Sequence, residues 1–243
     1  MDRRTYLRSL GVAGVAAGAG CLGSVPGLGD DETVLDPPEQ SLAGASHPSH
    51  GDEIPAVELP DPLTGETVST ADFEGERAYL LTFFYTSCPD GACPALLFHL
   101  RAAQADATER GYADDIALLA LTFDPDRDTP EELRTYADQQ GVDREPGNWH
   151  FLRPEDNEAA REIVDGELGV PIERTDDPDA LTDDEGGDHG DGGDHDHGDY
   201  MFVHPNLILL VNEDGVVERA YPNAWTRLDT DDLLADVRTV VGD

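Results

Sequence analysis

Basic residues are scarce in this chain. Fifteen of them stand against 53 acidic residues in 243 positions, a formal charge of −38. Within the first eight positions only Arg3 and Arg4 are adjacent, and no basic patch follows. Such a chain lacks the means to grip nucleic acid through its phosphates. Cysteine is scarce too, with Cys21, Cys88 and Cys93 alone. Three thiols do not build a disulfide scaffold. A bridge between Cys88 and Cys93 would close so small a loop that it constrains little of the unfolded chain, so the pair reads as chemical rather than structural. Long apolar runs are also missing: Leu10 to Gly20 is too short and too glycine-rich to span a membrane. What is abundant is acid, from Asp30 to Asp243, through segments with apolar periodicity as well as loops. That spread reads as whole-surface adaptation to high salt rather than as a disordered acidic tail. At molar salt the Debye length is about 3 Å, and self-repulsion on this scale is largely screened.

The N-terminus has a charged start, a short apolar middle and small residues before a cysteine, the layout of an export signal. Arg3-Arg4 followed by Tyr6 and Leu7 resembles a twin-arginine signal over residues 1–20. Ala19-Gly20-Cys21 resembles a lipobox, in which Cys21 is lipidated and becomes the new N-terminus. Together these place the protein outside the cytoplasm, anchored to the outer face of the cytoplasmic membrane, where disulfides are allowed. Residues 21–53 are rich in Gly, Pro, Ser and Asp and read as a flexible linker, with His47 and His50 as polar linker residues.

The folded domain is expected over 54–243. Ala56–Leu59 and Glu66–Ser69 flank a turn and predict a hairpin. Ala78–Tyr85 and Ile116–Phe123 are near-continuous apolar runs, as strands buried on both faces require. Pro94–Arg110 has helical spacing, and Thr129-Pro130-Glu131-Glu132 caps a helix reaching about Gln140. A short strand at Trp149–Leu152 and a helix over Asp156–Leu168 follow. Residues 176–199 read as a disordered, low-complexity Asp/Gly/His loop. Leu207–Val211 and Val216–Tyr221 form a second hairpin, and Asp231–Val241 a closing amphipathic helix. The fold class is α/β: a mixed sheet flanked by helices, with an N-terminal hairpin and an acidic His-rich insertion.

The chemistry gathers at Leu81–Leu97, LTFFYTSCPDGACPALL, where an aromatic strand breaks at a Pro/Asp/Gly turn and a helix leaves it. Strand, dithiol loop and helix within a βαβ pattern are the thioredoxin-like signature. Cys93 in the first helical turn feels the macrodipole and orphan N–H groups, which favour a thiolate. Four residues separate the cysteines, more than the two of oxidoreductase motifs. The wider loop suits a shared soft metal, Cu(I) or Zn(II), with an imidazole as third ligand. A reducible disulfide remains the rival use. His99 and His150 read as core or surface residues. His189, His195 and His197 offer accessory metal ligands, against the simpler reading of a solvated, salt-adapted insertion.

Three segments resemble the Sco/SenC copper proteins of cytochrome oxidase assembly: FFYTSCPDGACP, LTFDPDRDTPEELRTYA and YMFVHPNLILLVNEDGVV. The resemblance implies a thioredoxin-like domain that binds copper through Cys88, Cys93 and His204, with Asp124 supporting the site without touching the metal. It also implies a partner: the copper subunit of the oxidase or another copper protein, metallated at its binuclear site or reduced there beforehand. The alternative is an extracytoplasmic thiol–disulfide oxidoreductase or thiol peroxidase, Cys88 attacking and Cys93 resolving; only on that reading is the chain an enzyme. The chain departs from the family pattern in two places. One extra residue lies between its cysteines, which Gly91 is expected to absorb as a local bulge. Val203 and Pro205 flank its histidine, and Pro205 falls where thioredoxin-like folds often place a cis proline facing the cysteines.

Overall fold

The structure, a computed structural model, describes residues 33–89, 91–176 and 200–243. The expected signal, Cys21, Asp90 and the loop histidines His189, His195 and His197 lie outside the described residues. Its centre is a five-stranded sheet in the spatial order Trp149–Leu152, Ile116–Thr122, Ala78–Phe84, Leu207–Val211, Val217–Pro222. The two apolar runs form the middle: β3 (Ala78–Phe84) and β4 (Ile116–Thr122), every residue buried. They pair in parallel from Ala78↔Ile116 to Phe84↔Thr122. A parallel pair needs a crossover, supplied by α1 (Ala92–Arg110). On its other edge β3 pairs antiparallel with β8 (Leu207–Val211), Thr82 opposite Ile208. The Thr82 hydroxyl in β3 donates to the Leu207 carbonyl at 2.8 Å and so is satisfied inside the core.

The expected elements are present with small shifts. β1 (Glu58–Asp61) and β2 (Glu66–Ser69) form the first hairpin. Asp61 accepts the Leu63 amide in its turn, which closes at Gly65 with φ +80°. A single 3-10 turn, Thr70–Phe73, follows under a Ser69/Asp72 capping box. α2 (Pro130–Gln140) begins at the Thr129 cap. β5 (Trp149–Leu152) continues the sheet beside β4. The predicted Asp156–Leu168 helix splits: α3 (Asn157–Arg161) is regular, and Glu162–Glu167 widens into a π-helical turn. A two-stranded ribbon not foreseen in the sequence joins β6 (Glu173–Thr175) to β7 (Met201–Val203). β9 (Val217–Pro222), the short α4 (Ala224–Arg227) and α5 (Thr230–Val241) complete the chain. His99 and His150 are buried and structural. His99 donates to the Ala224 carbonyl and pairs with the Thr230 hydroxyl, fastening α4 and α5 to α1. His150 meets Asp61 at 3.3 Å.

One expectation needs correction. The linker reading does not hold over residues 33–53, since the compact unit runs Asp31–Asp243. Glu218, buried in β9, accepts the amides of Val34 at 2.7 Å and Leu35 at 2.8 Å, and the Asn212 side chain at 2.6 Å. Leu35 and Leu42 pack on the core. The Gly51 and Ile54 amides donate to Val217 and Gly215, and the Val217 amide to Asp52. These residues thus cover the outer edge of β9, which would otherwise expose a row of unpaired backbone groups. Two isolated leucines and a set of backbone bonds leave no apolar period, so composition alone reads as tether.

Replacing Glu218 by Gln sets an amide donor among amide donors. The expected loss is about 1–3 kcal/mol of unfolding free energy. Amide exchange should accelerate at least about tenfold at Val34 and Leu35 while β3 amides hold their protection. Uniform acceleration through the sheet would contradict a local latch.

Candidate metal centre

The strand registers bring the chemistry to one pole. β3 and β4 run the same way, so the loops leaving Phe84 and Thr122 emerge together. β8 runs against β3, so the chain entering Leu207 arrives at that same end. Ligand sites of open α/β sheets lie at such carboxyl edges. Cys88 sits half-buried in the first loop; Cys93 is fully buried in the first turn of α1; His204 is half-buried just before β8. Their ligating atoms all lie within 4.8 Å of one another.

Each ligand is held by local structure. Gly91 caps α1 in the left-handed region, φ +77°. Added side chains would meet open space there, so backbone conformation is what calls for glycine. The Cys93 amide, at the helix N-terminus, points at Cys88 Sγ, 3.4 Å away. Cys93 Sγ and His204 Nε2 are 3.9 Å apart. His204 Nδ1 faces the Pro205 carbonyl at 3.1 Å; donation there fixes the tautomer and leaves the Nε2 lone pair toward the thiols. The His204 ring packs against Phe123 at 4.8 Å and Tyr85 at 5.9 Å, and Phe202 closes the cluster behind them. The expected cis proline is not found: all peptide bonds among the described residues are trans, Pro205 included. It is the His204 imidazole that faces Cys93 here.

Asp124 is buried and accepts from Arg127, from the Tyr200 hydroxyl at 2.8 Å and from Asn157 at 3.1 Å. Arg127 stacks over the Tyr200 ring at 3.9 Å and donates to the Tyr200 carbonyl at 2.9 Å. Asp124 thus acts on Tyr200, the residue that enters β7 and so leads to His204. Asp128 does the same for the cysteine loop. Its buried carboxylate accepts the Thr86 amide at 3.1 Å and the hydroxyls of Thr86 and Thr122. Thr86 is two residues before Cys88. Burial pushes the Asp128 carboxyl up to about 6, against the pull of those hydrogen bonds. Tyr136 lies below, stacked on Phe84 at 5.6 Å. Its buried hydroxyl has no hydrogen-bond partner among the described residues, and burial raises its pKa, with the charges of Cys93 and Cys88 adding. His204 opens on its far side to a groove of ≈ 880 Å³ lined with Arg161, Arg174, Val203 and Pro205. The sequence reading missed this aromatic cage. Its signal was present: Tyr200, Phe202 and His204 alternate with period two, as one face of a strand would.

Fold and site together define a thioredoxin-like domain carrying a two-thiol, one-imidazole ligand set at the carboxyl pole of its sheet. A family model described as SCO1/SenC matches residues 61–145. A protein of Stutzerimonas stutzeri, named for copper binding, is 29% identical over 178 residues, 72% of each chain. BsSco, described as a member of the Sco family of cytochrome c oxidase assembly proteins with a disulfide switch, superposes with a TM-score of 0.56 at 20% identity, covering 79% of this chain and 95% of its own. Arabidopsis thaliana ScoI with copper bound gives 0.56 at 20% identity, over 79% and 100%. Over the stretch the family model matches, which holds both cysteines, Asp124 and Asp128, this chain is similar to the SCO1/SenC proteins.

A carboxyl whose folded pKa is raised favours the fold most while protonated. The Asp128 contribution is present below its ordinary value of 3.8 and lost as pH rises through about 6. Asp128→Asn removes that term. In urea unfolding of the metal-free protein in molar salt, the parent should lose about 2–3 kcal/mol relative to the variant between pH 4 and 7. Parallel stability curves would show that Asp128 does not titrate in this range.

Proposed function

We propose that this chain binds copper through Cys88, Cys93 and His204 and serves as a copper metallochaperone in assembly of the cytochrome oxidase binuclear copper site. One observation carries the reading: two thiol sulfurs and an imidazole nitrogen meet within 4.8 Å. Soft sulfur donors with one imidazole suit Cu(I) over hard cations. Copper is cargo here, so the site must also release it. Cys93 is buried, whereas Cys88 and His204 have solvent access. Handover then proceeds by ligand exchange: a partner thiolate or imidazole replaces His204 or Cys88 first, and Cys93 lets go last. The ion stays Cu(I) throughout, and each incoming donor replaces an outgoing one. Asp124 and Asp128 keep the two halves of the site in register while this happens. The support from relatives is the copper named for the Stutzerimonas stutzeri protein and for Arabidopsis ScoI, and the oxidase assembly named for BsSco.

The N-terminal pattern adds a location to the proposal: export by a twin-arginine signal and a lipid anchor on Cys21, at the outer face of the cytoplasmic membrane. The acid excess adds a high-salt setting, with His189, His195 and His197 as accessory copper ligands. A second reading keeps the same two thiols. Cys88 is the accessible one and Cys93 the buried one, the arrangement of an attacking and a resolving cysteine. On that reading the dithiol reduces the partner's cysteines before metallation and is itself left as a disulfide.

Cu(I) titration of the reduced protein in molar salt, against a competing chelator, separates these readings. A variant lacking residues 177–198 removes the loop histidines from the stoichiometry. It should bind one Cu(I) tightly. Cys88→Ser and Cys93→Ser should each weaken binding by about 100-fold or more, and His204→Ala by about tenfold or more. Absence of a tight site, with rapid turnover of a disulfide substrate, would overturn the chaperone reading in favour of the oxidoreductase.

A further inference from the structure

The acid that covers this protein stops at one face. No carboxylate occurs from Gly91 to Ala105, from Tyr200 to Asn212, or from Arg219 to Leu228, in a chain with 53 of them. The fold brings these three stretches together beside the metal centre. Cys93 and His204 face each other at 3.9 Å, joining the first to the second. The Ala224 amide donates to the Asn206 carbonyl at 2.9 Å, joining the second to the third. His99 bonds back to the Ala224 carbonyl, closing the ring between α4 and α1. The large apolar side chains left exposed among the described residues are Val34, Phe98, Val203 and Trp225. Three of these four stand on the acid-free stretches, with Phe98 55% and Trp225 43% exposed. Arg227 adds one exposed positive charge. Val203 stands at the limit of the face, since Glu173 is its cross-strand partner and Asp165 and Glu173 share its groove, and the exposed Asp229, whose charge acts on His99, marks the other limit.

An exposed Phe or Trp on a salt-adapted surface gains nothing for solubility, and two of them, on helices joined through His99 and Ala224, offer an apolar contact patch near the cargo site. We propose that this face, built from α1, α4 and the His204–Asn206 bend, is where the copper-accepting protein docks, through apolar contacts inside a carboxylate-poor window. The inference rests on the copper reading and deepens it. The surrounding charge gives the window its orienting role. At molar salt that role is exercised at contact rather than at long range: elsewhere an acceptor would bury unpaired carboxylates, and in this window few stand in its way. The window also lies within reach of both accessible ligands, so an acceptor seated there presents its own donors to His204 and Cys88. Aromatic anchors of this kind are the usual energetic centres of protein contacts.

The probe is the soluble copper-binding domain of the oxidase copper subunit encoded in the same genome, offered to the full chain loaded with one Cu(I). Phe98→Glu and Trp225→Glu each place a carboxylate in the window, and Thr226→Glu does so while leaving both aromatics in place. All three should keep the parent's Cu(I) affinity, since none supplies a ligand. Each should slow second-order transfer to the probe by about tenfold or more and weaken binding of the metal-free protein to it. Val34→Glu, at the far pole, should change neither by more than about twofold. Equal transfer in the parent and in Thr226→Glu overturns the proposal, even if an aromatic variant fails to fold. So does a copper-loaded parent that neither binds the probe nor transfers to it. Sedimentation showing a parent dimer that these substitutions dissociate would assign the face to a second copy of this chain instead. Failure of the copper reading itself shows earlier and separately, as a parent that takes up no Cu(I).

Discussion

The metal centre depends on how β3 is paired. Its parallel partner β4 and its antiparallel partner β8 meet it with registers that bring three loop ends to one pole. Cys88, Asp124 and Asp128, and His204 come from those three loops. Nothing local links them: His204 lies 111 positions from Cys93. A slip of one residue in the β3–β8 ladder would move His204 by about 3.4 Å and exchange the two buried faces of β8, each packed against a different layer. The fully buried, β-branched and leucine-rich faces of these strands forbid that slip. The site is therefore only as well defined as the core behind it.

Within that frame two buried carboxylates divide the task. Asp128 holds the stem of the cysteine loop through Thr86, and Asp124 holds the stem of the histidine strand through Tyr200 and Arg127. Neither is a donor to the metal on this reading; each fixes the backbone from which a donor projects. The aromatic cage of Tyr85, Phe123 and Phe202 then limits the imidazole to one plane. Such an arrangement keeps the ligands close before metal arrives, while the half-exposed positions of Cys88 and His204 leave the rim open.

Much of this was legible from residues. The apolar runs of β3 and β4 announced strands buried on both faces, and Thr129-Pro130 announced the start of α2. The dithiol turn, the Asp124–Pro130 segment and His204 carried the resemblance that assembled the ligand set. What stayed hidden was carried by long-range bonds. The β6–β7 ribbon flanks a stretch of low complexity, and its three-residue strands have too little pattern to read. The cage is visible as the alternation of Tyr200, Phe202 and His204 only once a strand is known to be there. Residues 33–53 look like a linker because their hold on the domain runs through one distant carboxylate, Glu218, and through backbone amides that no side-chain pattern reports.

That carboxylate has a mechanical meaning. Glu218 and its partner Asn212 stand at the amino end of β3, since Val217 pairs with Val211 and Val211 with Tyr79. The cysteines lie beyond Phe84, five residues further along β3, about 17 Å away along the strand. A pull on the chain from before residue 33 would therefore act at the pole opposite the proposed copper ligands. Tension enters at the Glu218 clamp and spreads into the sheet before it can reach the thiols. Were the proposed anchor on Cys21 to hold the chain, the domain would swivel about its far end, and the metal pole would sweep the widest arc.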